Sequence, residues 1–318
     1  MKNLSKKYLL LIFNLFATIF LGGCFTQEEF DLEPDANPPI MIHALITNQA
    51  GPYYVQVSRA TNEQTPSNVE NALSGQNYTP ITNATITLTD DQGNSDVLEP
   101  YSQDFPAQNT QGFITFAQLG YYRTSTNIQG VPGRTYTLTV QHEGKTYQAT
   151  ATMPPTPPTI TVNHGPFIYP LLSFSEPQEK GNYYMFFYRD FFGNDPMNSR
   201  QGRDQFEDNL WPLFYQKFQI YSDQFWGNEV KGLDIYTPNY LQDDLLIFCS
   251  KCPDNIQVQM HSISKEAYEF YDALNQQARN DGGTFHTEPA TPPSNFSNGA
   301  LGIFRASAVQ SIISPLKY

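Results

Sequence analysis

The chain has 318 residues, of which 39% are hydrophobic and 14% aromatic, and its formal net charge is −13. A surface this acidic repels phosphate backbones, and no basic stripe or stacking motif offsets the charge, so we predict that nucleic acid is not a partner. The length allows one large domain or two modest ones.

Residues 1–23 have the features of a lipoprotein signal peptide. Three lysines give a positive start, and residues 8–21 form an apolar run that is too short to span a bilayer. Small residues then precede Cys24, whose sulfur would carry a diacylglycerol, although Gly22 is an unusual residue at its position. Cleavage before Cys24 would remove the three lysines and no acids, lowering the net charge from −13 to −16. An ordinary secretory signal with an incidental cysteine is the alternative.

Lipidation of Cys24 predicts a protein that lies on the membrane surface. Each buried methylene of an acyl chain contributes about 0.8 kcal/mol, so several chains on one residue anchor well. No later segment is a long uncharged apolar run, so we expect nothing else to cross the membrane. Residues 24–37 form an acidic tether with too little apolar content to pack. They are either a plain linker or a segment that resembles the signal directing Bacteroidota lipoproteins to the outer face of the outer membrane.

Residues 38–153 predict an immunoglobulin-like or transthyretin-like β-sandwich. Apolar and polar residues alternate strictly along several segments, most clearly in residues 84–89, where threonines separate the apolar side chains. Gly93 and Gly144 can take positive φ in hairpin turns that join such strands. A sheet with one apolar face needs a second sheet to cover it. Residues 61–79 are polar and patternless, which indicates a long loop.

Residues 154–158 have the sequence Pro-Pro-Thr-Pro-Pro, which predicts a stiff, extended linker between two domains. Residues 159–318 are then predicted to be a second β-rich domain with one helix at about 264–280, which Ser264 can cap. Residues 182–188 are apolar and aromatic on both faces, which fits either a central strand or a strand with one ligand-binding face.

Aromatic residues cluster in a loop-rich stretch of this predicted second domain. Its candidate binding residues are Trp211, Tyr215, Tyr221 and Trp226. Aromatic side chains dominate interface energetics, and the stretch lacks a clean strand or helix period that would bury them all. The alternative is that these rings fill the core. We therefore place binding in the second domain and treat the first mainly as a spacer.

Cys249 and Cys252 are expected to form a disulfide in an oxidising compartment. A thioredoxin-like redox site is an alternative, but that motif belongs at the start of a helix. A zinc site would need two further ligands, and His261 and His286 are the nearest candidates, without metal-site spacing.

No motif for catalysis is present in the sequence. There is no Gly-x-Ser-x-Gly elbow or His-Glu-x-x-His helix, and the five histidines are scattered. Asp204, Glu207 and Asp208 could hold calcium in a loop, but no calcium-loop frame supports them. We therefore predict no catalytic residue, no metal and no cofactor, and a protein that is not an enzyme.

Five segments, in order along nearly the whole mature chain, resemble one protein family. They are residues 51–59, 84–93, 133–138, 262–268 and 293–304. The family is the DUF-four-two-four-nine family of Bacteroidota outer-membrane lipoproteins of unknown function. Its last motif has a glycine-rich end where this chain has Arg305.

This resemblance implies an accessory at the mouth of a TonB-dependent transporter, because such lipoproteins are often encoded beside these transporters. It implies no catalytic residues. We expect a non-catalytic, surface-exposed outer-membrane lipoprotein that binds a protein partner or small nutrient at the transporter. A glycan-binding or adhesive lipoprotein is the second interpretation, and an extracellular hydrolase is the third.

The anchor prediction is tested with Cys24→Ala. We expect the variant to lose palmitate labelling and to leave the membrane fraction, because the thioether that carries the lipid cannot form. Cys249→Ala, which removes a cysteine elsewhere in the chain, should remain labelled and membrane-bound. A Cys24→Ala protein that still takes up palmitate would show that the lipoprotein interpretation is wrong.

Overall fold

The fold is mostly β-sheet, as predicted. A computed structural model describes residues 38–60, 78–104, 115–125, 128–164, 170–191, 193, 209–214, 218–235, 254–279 and 292–316. The predicted signal peptide and tether lie outside these residues, as do all three cysteines. In the part of the chain that is described, no helix is both long enough and apolar enough to cross a membrane.

The described residues form sixteen strands and few helices. The strands are β1 (Ile40–Thr47), β2 (Tyr54–Ala60), β3 (Tyr78–Pro80), β4 (Thr85–Asp90), β5 (Ser95–Val97), β6 (Glu99–Pro100), β7 (Tyr121–Arg123), β8 (Thr135–His142), β9 (Lys145–Thr152), β10 (Thr161–His164), β11 (Pro170–Ser175), β12 (Tyr183–Phe191), β13 (Gln219–Ser222), β14 (Glu229–Asp234), β15 (Asn255–Ile263) and β16 (Leu301–Pro315). The helices are α1 (Trp211–Phe214), α2 (Lys265–Arg279) and the 3-10 helices Ala117–Leu119 and Asp223–Phe225.

A nine-stranded sheet is the centre of the fold, and it crosses the predicted domain boundary. Its order is β13-β12-β15-β16-β1-β2-β7-β6, with β3 added beside β2. The last strand, β16, runs parallel to the first strand, β1, with Ala44 opposite Phe304. Beyond Ser307, β16 pairs instead with β15 in antiparallel register, starting with Ala308 opposite Ser262. One strand therefore joins the two halves of the chain.

The structure thus differs from the prediction of two domains at residues 38–153 and 159–318. The described residues belong to one compact unit, and their first and last strands share a sheet. Within the predicted linker, Pro157 is buried rather than exposed between domains. Alternation in a sequence shows which face of a strand is apolar but not which strand lies beside it, so the β1–β16 pairing was missed.

One face of the central sheet packs against a four-stranded sheet with the order β5-β4-β8-β9. Ile86 and Leu88 of β4 are buried while the threonines between them are less so. Leu138 of β8 lies opposite Ala149 of β9. These side chains form one apolar cluster with residues of β1, β2 and β16. The predicted β-sandwich is confirmed, with β16 as an added strand from the end of the chain.

A three-stranded sheet, with the order β10-β11-β14, covers β12 and β15. Tyr184 and Phe186 of β12 point toward it and pack near Phe174 of β11. Met185 and Phe187 point to the opposite face. Because β12 pairs with β13 on one side and β15 on the other, the central-strand interpretation of residues 182–188 is confirmed.

Helix α2 covers the opposite face of the central sheet. Ser264 caps it, since its hydroxyl accepts the Ala267 N–H at 3.2 Å. Ala267, Phe270 and Tyr271 then face the sheet. The predicted helix is confirmed with slightly shorter bounds.

The two hairpin turns agree with the sequence prediction, and the predicted loop at residues 61–79 differs from it at one end. Gly93 and Gly144 have positive φ values of 88° and 74° in the predicted hairpin turns. The predicted loop at residues 61–79 is shorter at its end, because Tyr78–Pro80 pairs with β2. Three residues are too few to show an alternating pattern.

Gly302→Ala tests the β1–β16 pairing. Gly302 has φ 102°, and a Cβ there would overlap the carbonyl oxygen of Ile42 in β1. Overpacking of this kind costs about 1–3 kcal/mol. Gly181→Ala is the matched control, since Gly181 has φ 104° with nothing within 4 Å of the Cβ position. Denaturant unfolding should show the larger loss for Gly302→Ala, and equal losses would contradict this close approach.

Candidate functional site

The candidate site is a corner of the fold between β13 and β14, which we call the aromatic corner and define as Tyr221, Asp223, Phe225 and Trp226. Its centre is the 3-10 helix Asp223–Phe225. Ser222 caps this helix by accepting the Gln224 N–H at 3.4 Å. At its other end the Trp226 N–H donates to the Asp223 carbonyl at 2.9 Å. The sharp turn places Phe225 and Trp226 on different sides of the corner.

The buried carboxylate of Asp223 holds this turn against the start of β12. It accepts hydrogen bonds from the Gly181 N–H at 3.1 Å and from the Asn182 side-chain amide at 2.8 Å. Burial alone would raise the pKa of Asp223, but these hydrogen bonds and the charge of Lys180 outweigh it and hold the pKa below its usual range. Asp223 is therefore ionised, and its carboxylate holds the turn in place through these hydrogen bonds.

Lys180 closes the corner from the outside. Its ammonium group donates to the Trp226 carbonyl at 2.8 Å and to the Asp223 carbonyl at 3.3 Å. A charged donor on two carbonyls makes stronger hydrogen bonds than a neutral one. The backbone on both sides of Phe225 is thus fixed by the Lys180 side chain, which comes from the loop before β12.

Trp226 and Tyr221 anchor the corner in the core. The Trp226 ring stacks on Tyr184 with centroids 5.8 Å apart and an interplanar angle of 13°, and it also meets the edge of Phe174. The Tyr221 ring lies 5.5 Å from Trp226, and its hydroxyl donates to the Asp234 carbonyl at 3.2 Å. Both rings are partly buried against the apolar side chains between the three-stranded sheet and β12, so these two residues belong largely to the core, as the alternative interpretation expected.

Phe225 is the opposite case, since 87% of its surface is exposed. An exposed phenylalanine on a mobile loop would be unremarkable, but this one is held on a turn with hydrogen bonds at both ends. Rigid aromatic side chains bury much area at low entropic cost when a partner binds. The corner therefore displays one apolar ring to solvent.

Glu176 lies behind the corner and is 5% exposed. One of its carboxylate oxygens accepts from the Tyr184 hydroxyl at 2.9 Å and from the Asn182 amide at 3.4 Å. The other oxygen has no hydrogen-bond partner in the described part of the chain. Burial raises the pKa of Glu176, and the nearby charge of Asp223 acts in the same direction. Two carboxylates thus share the amide of Asn182, one with a raised pKa and one with a lowered pKa.

The structure brings together two of the four predicted binding aromatics, Tyr221 and Trp226. Trp211 begins α1, but its side chain lies outside the described residues, as does Tyr215. Phe225, Glu176, Lys180 and Asp223 were not among the binding residues predicted from the sequence. The sequence does not show which of the neighbours Phe225 and Trp226 is exposed. The turn that separates their side chains depends on Asp223 and Lys180, which come from different segments of the chain.

The remaining predicted sites lie mostly outside the described residues. These are Cys24, Cys249, Cys252, Asp204, Glu207, Asp208 and His286. His261 is described and is fully buried in β15. Within the described ranges, no group of three or more His, Cys, Asp or Glu side chains is placed to hold a metal ion.

Glu176→Gln tests the electrostatics of the corner. A carboxyl group with a raised pKa in the folded state favours folding while protonated, and this contribution is lost as pH rises through the folded pKa. The melting temperature of Glu176→Gln should therefore rise relative to the wild type as the pH is raised above the ordinary pKa of a glutamate. Glu179→Gln, which removes a carboxylate at an exposed neighbouring position, is the matched control. Parallel curves for wild type and Glu176→Gln would refute the burial effect.

Comparisons with known proteins add a family but no activity. No curated protein matches the chain. Among solved structures, a segment of two fibronectin type-III domains from chicken tenascin matches with 9% identity, over 91% of this chain and 98% of that chain. Its TM-score is 0.20, so this similarity supports no conclusion about the present chain.

The family comparison covers most of the sequence. A family model described as "Domain of unknown function (DUF4249)" matches residues 27–313. The family predicted from the five short segments is therefore confirmed, and the match spans both halves of the chain. The chain belongs to the DUF4249 family.

Proposed function

We propose that this chain is a non-catalytic outer-membrane lipoprotein, exposed at the cell surface, that serves as an accessory or binding subunit of a TonB-dependent nutrient transporter. The observation that carries the binding role is the exposed Phe225 ring on the hydrogen-bonded aromatic corner. The partner in this proposal is the transporter, which Phe225 contacts through an apolar pocket.

The position of the family match supports the lipid anchor. The matched region begins at residue 27, shortly after Cys24, so it coincides with the chain that would remain after cleavage of the signal peptide. The signal features of residues 1–23 then fall outside the matched region. This division is the one expected of a family of exported, lipidated proteins.

The geometry of the corner supports a protein partner. A single displayed ring of this kind acts as an anchor that fills a pocket, and such anchors carry a large share of the binding energy in many interfaces. Its backbone is fixed before binding, so little conformational entropy is lost when the partner binds.

Glycan binding is the second candidate, and one observation favours it. Trp226 and Tyr221 lie near two carboxylates, and one oxygen of Glu176 has no hydrogen-bond partner among the described residues. Sugars are recognised by aromatic faces together with polar acceptors. However, the Trp226 ring already stacks on Tyr184, and the oxygens of Asp223 already accept from Gly181 and Asn182. The ring face and the oxygens that a sugar would need are therefore already occupied, whereas the Phe225 ring remains available to a pocket on a protein partner.

Phe225→Ala tests the proposed binding role. Detergent-solubilised outer membranes of the native organism are passed over the immobilised mature protein, and captured TonB-dependent transporters are quantified by mass spectrometry. Loss of an interface anchor costs about 2 kcal/mol, so capture should weaken roughly 30-fold.

Val97→Ala is the matched control, since Val97 is an exposed apolar residue of β5, away from the corner. It should capture as much transporter as the wild type. If Phe225→Ala captures as much transporter as the wild type, the aromatic corner is not the binding surface. Capture of no transporter by the wild type would remove the accessory role itself, and retention of the protein on a glycan array would then favour the second candidate.

A further inference from the structure

A row of polar side chains is buried between the central sheet and α2. We call it the buried polar row and define it as Gln259 and His261 of β15 with Arg305 and Ser307 of β16. All four are almost fully buried. The other face of β15 carries Ile256, Val258 and Met260, so this strand is apolar toward the three-stranded sheet and polar toward the helix side.

Arg305 brings a positive charge into this row while being only 2% exposed. Its guanidinium carbon lies 5.3 Å from the centre of the Tyr271 ring and 5.7 Å from that of Phe187, and one terminal nitrogen contacts the Met185 sulfur. Among the residues that the structure describes, its Nε has no hydrogen-bond partner. Across the described part of the chain, no carboxylate forms an ion pair with it.

A guanidinium group stays charged inside proteins, so burial does not neutralise it as it would a lysine. An isolated buried charge is strongly unfavourable unless it is paired. Cation–π contacts offset part of this cost, but they leave the N–H at Nε unsatisfied. In the part of the chain that is described, the charge of Arg305 therefore has no carboxylate to balance it.

The sheet register places the other members of the row beside this charge. Met185 and Phe187, which the guanidinium contacts, lie directly opposite His261 and Gln259 in the β12–β15 ladder. Ser307 follows Arg305 by two residues, so it projects from the same face of β16.

Three polar atoms in this neighbourhood also lack hydrogen-bond partners within the described ranges. They are the amide nitrogen of Gln259, Nδ1 of His261 and the hydroxyl of Ser307. The other ring nitrogen of His261 lies 3.0 Å from the amide oxygen of Gln259. Because that oxygen accepts, His261 donates to it, and the amide N–H groups of Gln259 remain available. Burial and then the charge of Arg305 lower the pKa of His261, so His261 adds no second positive charge.

We propose that the buried polar row binds one small monovalent anion, with Arg305 as its counter-charge and the Gln259 amide and Ser307 hydroxyl as hydrogen-bond donors. A single anion satisfies the unpaired donors and the unpaired charge together. The near-complete burial of the row restricts the ligand to a few atoms, such as a halide or bicarbonate. The bare Nδ1 of His261 accepts a proton-bearing oxygen, so bicarbonate uses one more contact than a halide.

The test measures the melting temperature of the purified mature protein in detergent at constant ionic strength. Gluconate, which is too large for the row, is replaced stepwise by bromide or by bicarbonate. A ligand that binds only the folded state raises stability with the logarithm of its concentration once above its Kd. We expect that rise for at least one of the two anions. A stronger response to bicarbonate would identify the His261 contact, and a flat response to both would overturn the proposal.

Arg305→Met removes the charge and keeps a long side chain against the same rings, so it should abolish the response. Arg189→Met is the matched control. Arg189 is also 2% exposed and its Nε donates to the Gln257 oxygen at 2.7 Å, so its removal should leave the response intact. An equal response in wild type and Arg305→Met would overturn the proposal.

A second measurement does not depend on the variants folding. Crystals of the wild type grown in bromide should show an anomalous peak within hydrogen-bonding distance of the Arg305 side chain. Bromide peaks confined to the surface, together with a flat bicarbonate response, would mean that the aromatic rings alone hold the buried charge.

Discussion

The parallel ladder between β1 and β16 is the contact on which the rest of the fold depends. Seven residue pairs connect Met41–Thr47 with Leu301–Ser307. This pairing places the first and last described strands side by side in the middle of the central sheet. Within it, Gly302 lies so close to the backbone of Ile42 that a side chain at Gly302 would have no room. Because pairing of such distant segments requires closure of nearly the whole chain, we expect slow folding that begins from the local hairpins.

The aromatic corner is built outward from this sheet. Tyr184 of β12 is fixed by ladders on both sides, and Trp226 stacks on it. Asp223 then ties the corner to the loop before β12, which leaves Phe225 exposed. The Phe225 ring is therefore positioned by the core, although it is not itself part of the core. The row around Arg305 depends on the same sheet, because β15 and β16 together carry its four members.

Much of the local structure could be predicted from the sequence, while the long-range pairing could not. The alternation in β4 identified the face that carries Ile86 and Leu88, and Ser264 marked the start of α2. β15 also alternates, with Ile256, Val258 and Met260 on its apolar face and polar residues on the opposite face. Helix α2 covers that face, so Gln259 and His261 are buried. Polar residues in a period-2 pattern indicate solvent only when nothing else packs on them.

The position of β1 also decides how the fold would bear mechanical load. If the chain is anchored through Cys24 as proposed, a pull on the cell surface reaches the fold first at Ile40, where β1 begins. β1 is an interior strand with β2 on one side and β16 on the other. Two ladders must then yield before the strand comes free, and the rate of such forced unfolding follows the barrier rather than the equilibrium stability. The strand nearest the proposed anchor is thus held by backbone hydrogen bonds along both of its edges.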